Sequence, residues 1–198
     1  MKMTGAAGLL SALPGLAILI AGSPRAGAFD TQVGRAAPPG SVVMRGRADL
    51  KGEGISGTAE LTEIRKGTAT ELEIEVLVKG LKPGLHGMHF HAVGVCDPPT
   101  FTSAGGHFDP GPFGNPDPDI NHPYHMGDLP NLEVGPDGVG RLKARTTRVT
   151  LSDGPLSVFD ADGTALIIHA NPDQGITGEP KSGVAGGPRI ACGVIVKK

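Results

Sequence analysis

Apolar and polar residues alternate with a period of two through most of this chain. In Glu71-Leu72-Glu73-Ile74-Glu75-Val76, the residues Leu72, Ile74 and Val76 take one face and the three carboxylates the other. That pattern predicts a half-buried antiparallel strand. Comparable stretches predict strands at 42–50, 55–64, 85–92, 129–134, 140–151, 165–170 and 189–197, separated by turns such as Lys82-Pro83-Gly84 and Pro136-Asp137-Gly138. No segment keeps a helical period over three turns, and 32 glycines and 18 prolines punctuate the chain. About eight strands with Gly/Pro/Asp turns predict an all-β sandwich or closed barrel.

Two stretches interrupt this rhythm. Residues 93–127 hold seven prolines and no strand period, and residues 171–188 are rich in glycine. Loops of that length in a compact domain are functional or disordered. Candidate metal ligands bound both, and metal with a disulfide would supply the order that backbone pairing does not.

The first residues read as an export signal: Lys2, an apolar stretch over 9–21, then Ala26-Gly27-Ala28 as a small-residue cleavage site. Pro14 and Gly15 break the apolar stretch, which is short for a membrane span; an uncleaved anchor is the alternative. No cysteine follows it, which excludes a lipoprotein anchor. The expected organisation is a signal peptide over 1–28, a flexible leader over 29–40 and one domain over 41–198, exported to the periplasm or the medium. Removal of 1–28 leaves 16 basic against 20 acidic side chains, a net charge of −4. That balance gives no reason to expect nucleic acid, nor, once the signal is gone, a membrane as partner. Cys96 and Cys192 are the two cysteines. An oxidising compartment favours one disulfide, for which chain entropy gives roughly 4–5 kcal/mol; the alternative is two buried free thiols.

Six of the seven histidines, His89, His91, His107, His122, His125 and His169, are spread over segments that a fold could bring together. His89 and His91 are two apart on a predicted strand and so share a face, although a His-x-His pair also occurs in ordinary strands. His107 lies in Ser103-Ala104-Gly105-Gly106-His107-Phe108-Asp109-Pro110, where the glycines permit close backbone approach. His125 and Asp128 flank Met126-Gly127, and His169 ends the apolar run Ala165-Leu166-Ile167-Ile168. A lone histidine at that last place is more often a satisfied core residue than a ligand. A mixed imidazole and carboxylate set suits tetrahedral zinc, and an all-imidazole set suits copper.

At these residues the sequence resembles the copper/zinc superoxide dismutases. The resemblance is carried by Gly84-Leu85-His86-Gly87-Met88-His89-Phe90-His91, the Ser103–Pro110 run, His125-Met126-Gly127-Asp128-Leu129-Pro130, Ala165–His169 and Arg189-Ile190-Ala191-Cys192-Gly193-Val194-Ile195, all in the family's order. It implies an eight-stranded antiparallel Greek-key barrel or sandwich whose two long loops form the metal site. His89, His91, His107 and His169 match the copper ligands. His107 would also bridge to zinc, beside His125, Asp128 and one further histidine. The resemblance makes His86 a supporting residue and Asp173 the carboxylate that accepts hydrogen bonds from ligand imidazoles of both sites. It also makes Cys96–Cys192 the family disulfide and Arg189 the active-site cation. As a loop acid, Asp173 has solvent exposure as its plain alternative, and Arg189 has that of a strand-end arginine.

The match departs from the family in three places. The usual further zinc ligand falls near Gly114 to Pro116, where there is no histidine; His122 is the remaining candidate, and the alternative is an under-liganded zinc. Pro188 stands directly before Arg189. The 171–188 loop carries only Asp173, Glu179 and Lys181 as charges, so long-range steering is expected to be weak. The implied activity is disproportionation of superoxide to oxygen and hydrogen peroxide by alternating Cu(II) and Cu(I), with His107 and Arg189 as the catalytic residues. The competing expectation is an exported copper buffer or chaperone on the same scaffold, without turnover. Family members assemble through different surfaces, so a homodimer is an open expectation.

Overall fold

The protein is described by a computed structural model covering residues 40–110, 125–176, 178 and 182–198. The expected signal segment, the leader up to residue 39, and His122, Glu179 and Lys181 lie outside the described residues. Nine strands are found among the described residues: β1 (Ser41–Gly52), β2 (Ile55–Lys66), β3 (Ala69–Lys79), β4 (Gly84–His86), β5 (Met88–His91), β6 (Leu132–Val134), β7 (Val139–Thr146), β8 (Ala165–His169) and β9 (Arg189–Lys197). A single 3-10 turn, Thr102–Ala104, is the helical element among them, so no described helix is long and apolar enough to cross a membrane.

The strands form one antiparallel sheet in the order β4-β6-β7-β3-β2-β1-β9-β8-β5. β4 and β5 occupy opposite ends of that order, yet only Gly87 separates them in the chain. The sheet therefore curls until its edges meet, giving a nearly closed all-β barrel. The strand expected over 85–92 is in fact two. Up to His86 the chain pairs with β6, and from Met88 onward it pairs with β8. Gly87 makes the change of partner: its N–H donates to the Asn171 carbonyl and its own carbonyl accepts from His169 N–H, each at 2.8 Å.

Alternation fills the barrel. Leu72, Ile74, Val76 and Val78 of β3 point inward with Leu50, Leu61, Phe90, Leu132, Leu166 and Ile168. Each such large side chain, fully buried, contributes about 1.5–3 kcal/mol before ordering entropy is counted. Glu73 and Glu75 point outward and face Arg145 and Lys143 of β7 at 2.5 and 2.7 Å. These pairs are largely exposed and contribute little to stability.

Two expected strands are shorter than their apolar pattern. β7 stops at Thr146 because the chain beyond it is drawn to Glu63, whose carboxylate accepts the Leu151 and Ser152 N–H groups at 2.9 and 2.6 Å. β6 starts only at Leu132, since Leu129 N–H still donates to Met88 O of β5 at 3.2 Å and Pro130 has no N–H to give. A second apolar cluster, Phe101, Ala104, Ala165, Ile167 and Cys192, lies on the outer face of β8 and β9, beneath the loop that the disulfide ties down. The Cys96–Cys192 disulfide is present, with Cα atoms 5.7 Å apart.

Candidate metal centre

β5 is buried on both faces, and its two faces do different work. Met88 and Phe90 enter the barrel core, so His89 and His91 must point outward, where loops cover them completely. β5 pairs with β8 in a register that sets His89 opposite Ile167, and His169 at the end of β8 donates its N–H to Gly87. The other edge of β5 is lined by the described parts of the 93–129 loop. Ala92 N–H donates to Gly106 O, Phe108 N–H to Phe90 O and Phe90 N–H to Gly127 O, at 2.9, 2.8 and 2.9 Å. This edge pairing delivers His107 and the His125–Asp128 turn to the outward face. Gly127 is required there, because a Cβ in its place would lie 2.6 Å from the Phe90 carbonyl oxygen.

Two donor sets share His107. His89, His91, His107 and His169 bring one nitrogen each within 4.8 Å of one another, and His107, His125 and Asp128 bring two nitrogens and a carboxylate oxygen equally close; His89, Asp128 and Asp173 form a third such group. The His107 ring stacks on His89 with centroids 4.0 Å apart and meets His125 edge-on at 4.7 Å.

The ring orientations show which atoms are offered. His89 Nε2 donates to Asp173 Oδ2 at 2.7 Å, His91 Nδ1 to Gly105 O at 2.9 Å and His169 Nδ1 to Gly187 O at 2.8 Å. Each ring thus has its proton on the far nitrogen. The near nitrogens, His89 Nδ1, His91 Nε2 and His169 Nε2, are buried without a hydrogen-bond partner. Bare lone pairs buried together are costly unless something takes them up, and a soft or borderline cation does so. Burial, then the nearby His107 and Arg189 charges and His169, holds His91 well below the usual imidazole range. Burial, with His89 beside it, takes His169 down to about 3. Both rings are neutral and ready to coordinate.

The second set is organised by Asp128. Its Oδ1 lies 2.8 Å from His107 Nδ1, and its Oδ2 accepts the His125 N–H at 2.9 Å with His125 Nδ1 3.3 Å away. Burial works against ionisation here, but the hydrogen bonds from His107 and His125 outweigh it and hold the carboxyl far below its ordinary value. Asp173 shows the same contest: burial raises it, while His89 and the Gly175 N–H bring it below the ordinary value.

The remaining expected residues fall around this core. His86 joins neither donor set; its Nδ1 lies 2.7 Å from the carbonyl of His169 and its Nε2 2.9 Å from that of Lys82, so it braces the end of β8. Arg189 opens β9 opposite His169. Its Nη1 and Nη2 donate to the carbonyls of Phe101 and Gly105 at 2.8 and 2.7 Å. Gly105 O therefore serves both Arg189 and His91. The Phe101 backbone is left-handed, with φ of 54°, and the burial of its ring against Cys192 holds it there.

Sequence reasoning missed Asn131. Its Nδ2 donates to the Asp173 carbonyl and its Oδ1 accepts the Asp173 N–H, both at 2.8 Å. That two-bond clamp fixes the residue that orients His89. No spacing rule marks such an asparagine; only its place three residues after Asp128 does.

A β-barrel carrying two adjoining donor sets that share one imidazole defines the class: a metalloprotein built for a pair of dissimilar ions. The chain belongs to the copper/zinc superoxide dismutase family, whose model, "Copper/zinc superoxide dismutase (SODC)", matches residues 55–195. It is 39% identical over 145 residues to the superoxide dismutase [Cu-Zn] of Caulobacter vibrioides, covering 71% of this chain and 78% of that one. It is 42% identical over 146 residues to superoxide dismutase [Cu-Zn] 2 of Aquifex aeolicus, covering 71% and 79%. Among solved structures it resembles a superoxide dismutase-like protein from Bacillus subtilis, with a TM-score of 0.63, 31% identity and coverage of 79% and 100%. Copper and zinc are the family's cofactors, and the donor chemistry found here fits them.

Proposed function

We propose that the protein is an exported superoxide dismutase. The observation that carries this reading is His107, one ring shared between an all-imidazole set and a mixed imidazole–carboxylate set. His89, His91, His107 and His169 would hold copper; His107, His125 and Asp128, with His122 as the fourth ligand, would hold zinc. When bound, copper supplies the one-electron couple that takes an electron from one superoxide and returns it to a second, while zinc is redox-inert.

The chain's own residues do the rest. Asp173, Gly105 and Gly187 fix the tautomers that bare the coordinating nitrogens. His107 faces Asp128 with Nδ1, so Nδ1 would serve the mixed set and Nε2 the all-imidazole set; Nε2, when not coordinated, would hold a proton and deliver it to the reduced oxygen species. Arg189, held by two carbonyls, attracts and orients the small anion. Export is part of the proposal: Lys2, the apolar stretch and Ala26-Gly27-Ala28 support it, and so does a disulfide that forms in an oxidising compartment.

A second reading, a copper buffer or chaperone without turnover, is favoured by the likeness to a protein named only superoxide dismutase-like. Arg189 weighs against it, because storage of copper needs no anchored cation. Copper and zinc content, measured beside a cyanide-sensitive superoxide assay on the mature protein, decides. The expected result is one of each metal with turnover; stoichiometric copper without turnover establishes the buffer.

A further inference from the structure

We propose that Arg148 is a positioning residue for Asp128, and that Glu63 holds the segment presenting it. The inference rests on assigning Asp128 to zinc. Arg148 lies just past β7, half-buried, and its Nη2 donates to the backbone carbonyl of Asp128. The Asp128 N–H donates to His125 O at 3.1 Å. With both peptide planes fixed, the Cα–Cβ bond is fixed as well, and from that base the bonds to His107 and His125 hold both carboxylate oxygens in place.

The segment carrying Arg148 is itself anchored from an unexpected place. Val149 and Leu151 enter the core, and facing this segment from β2 is Glu63, an acid only 1% exposed. Acids are almost never buried to that degree unless their oxygens are satisfied. Here three donors satisfy them: Leu151 N–H at 2.9 Å, Ser152 N–H at 2.6 Å and Ser152 Oγ at 2.5 Å. The preceding inward positions of β2 are Ala59 and Leu61, so a third apolar residue would have served the core. What a leucine could not do is set the register of residues 148–152 along the barrel. Arg148 N–H to Thr146 Oγ1, at 3.1 Å, adds the turn that points the guanidinium back toward Asp128. The relay runs from a barrel wall acid, through a loop backbone, to the carbonyl of a metal-site carboxylate.

The test uses the mature chain with Arg148→Met, Arg148→Lys and Glu63→Gln. Zinc affinity is read by chelator competition in copper-free protein, and copper affinity separately. Amide exchange at Asp128 is read in metal-free protein. Arg148→Met is expected to lose roughly 10–100-fold in zinc affinity, the usual effect of removing a partner of a ligand, with copper affinity unchanged. It should release zinc at a higher pH and exchange the Asp128 amide faster. Arg148→Lys should recover part of the loss, since an ammonium can donate but lacks the planar fork. Glu63→Gln should move zinc the same way by less. Unchanged zinc affinity and exchange in Arg148→Met overturn the proposal, and so does an equal loss of both metals, which marks general destabilisation. Should that variant not fold, Arg148→Gln carries the same criteria. Wild-type protein that binds no zinc ends the zinc assignment, and the metal-free exchange comparison still decides whether Arg148 pins Asp128.

Discussion

The two donor sets meet at His107 but are built on different foundations. His89, His91 and His169 ride on β5 and β8, strands whose other face is barrel core, so packing places them before any metal arrives. His107, His125 and Asp128 ride on a loop that hangs from the free edge of β5 by backbone hydrogen bonds and is braced by side chains such as Arg148. A redox centre gains from the first arrangement, because geometry that does not relax between oxidation states needs no reorganisation. The second arrangement would suit an inert ion that clasps the segments carrying its ligands. Perturbing one foundation should therefore leave the metal affinity of the other largely intact.

The largest effect is expected from Phe90→Ala. Phe90 is fully buried between His89 and His91, and its loss should cost about 3–5 kcal/mol and loosen both histidines together. Denaturant unfolding and copper affinity should fall in parallel; copper affinity that survives a destabilised barrel would show that the strand does not preorganise the four-imidazole set. His122→Ala probes the other side. Its expected loss of zinc affinity exceeds about 100-fold, beyond the effect of removing a ligand's hydrogen-bond partner, with the denaturation midpoint of metal-free protein unchanged. Full zinc retention would mean that another group completes that set.

What the sequence disclosed follows the same division. The strand side was legible because a period of two is local: Leu72, Ile74 and Val76 declare a face, and His89 and His91 declare the opposite of Phe90's. The break at Gly87 was not legible, since the residues on either side continue the pattern and only the change of partner from β6 to β8 divides them. On the loop side the ligand types could be named, but not their supports. Asn131, Arg148 and Glu63 act on backbone groups, and any residue supplies a carbonyl or an N–H, so such contacts leave no spacing to read. Glu63 even looks like one more polar position in an alternating strand. The long-loop disulfide was legible for the opposite reason: two cysteines leave one pairing.

Asp173→Asn comes next. Asp173 is ionised from neutrality to below the ordinary carboxylate range and accepts only, which keeps the proton of His89 on Nε2. An amide can donate there instead, which would shift the proton to Nδ1, the nitrogen that His89 turns toward the other imidazoles of its set. Copper affinity should drop roughly 10–100-fold while zinc is held, and the loss should be visible by spectroscopic titration. An equal loss of zinc would place Asp173 under both sets.

Arg189→Ala should lower the rate of superoxide loss by roughly tenfold with both metals still bound, as expected when a focusing cation is removed from a small-anion site. The rate should also depend less on ionic strength. Because the 171–188 loop offers few other charges, Arg189 should account for most of that dependence. An unchanged rate removes it from the mechanism.

The smallest effect tests whether charge matters away from the site. Lys143 and Glu75 face each other across β7 and β3 at 2.7 Å, with side chains 81% and 61% exposed, on the outward face of strands that carry no ligand. Water and salt screen such a pair almost completely. Lys143→Met should therefore leave the unfolding midpoint, both metal affinities and the turnover rate where they are. If turnover or its salt dependence moved instead, the field that guides the anion would have to extend around the barrel, and Arg189 could not be its principal source.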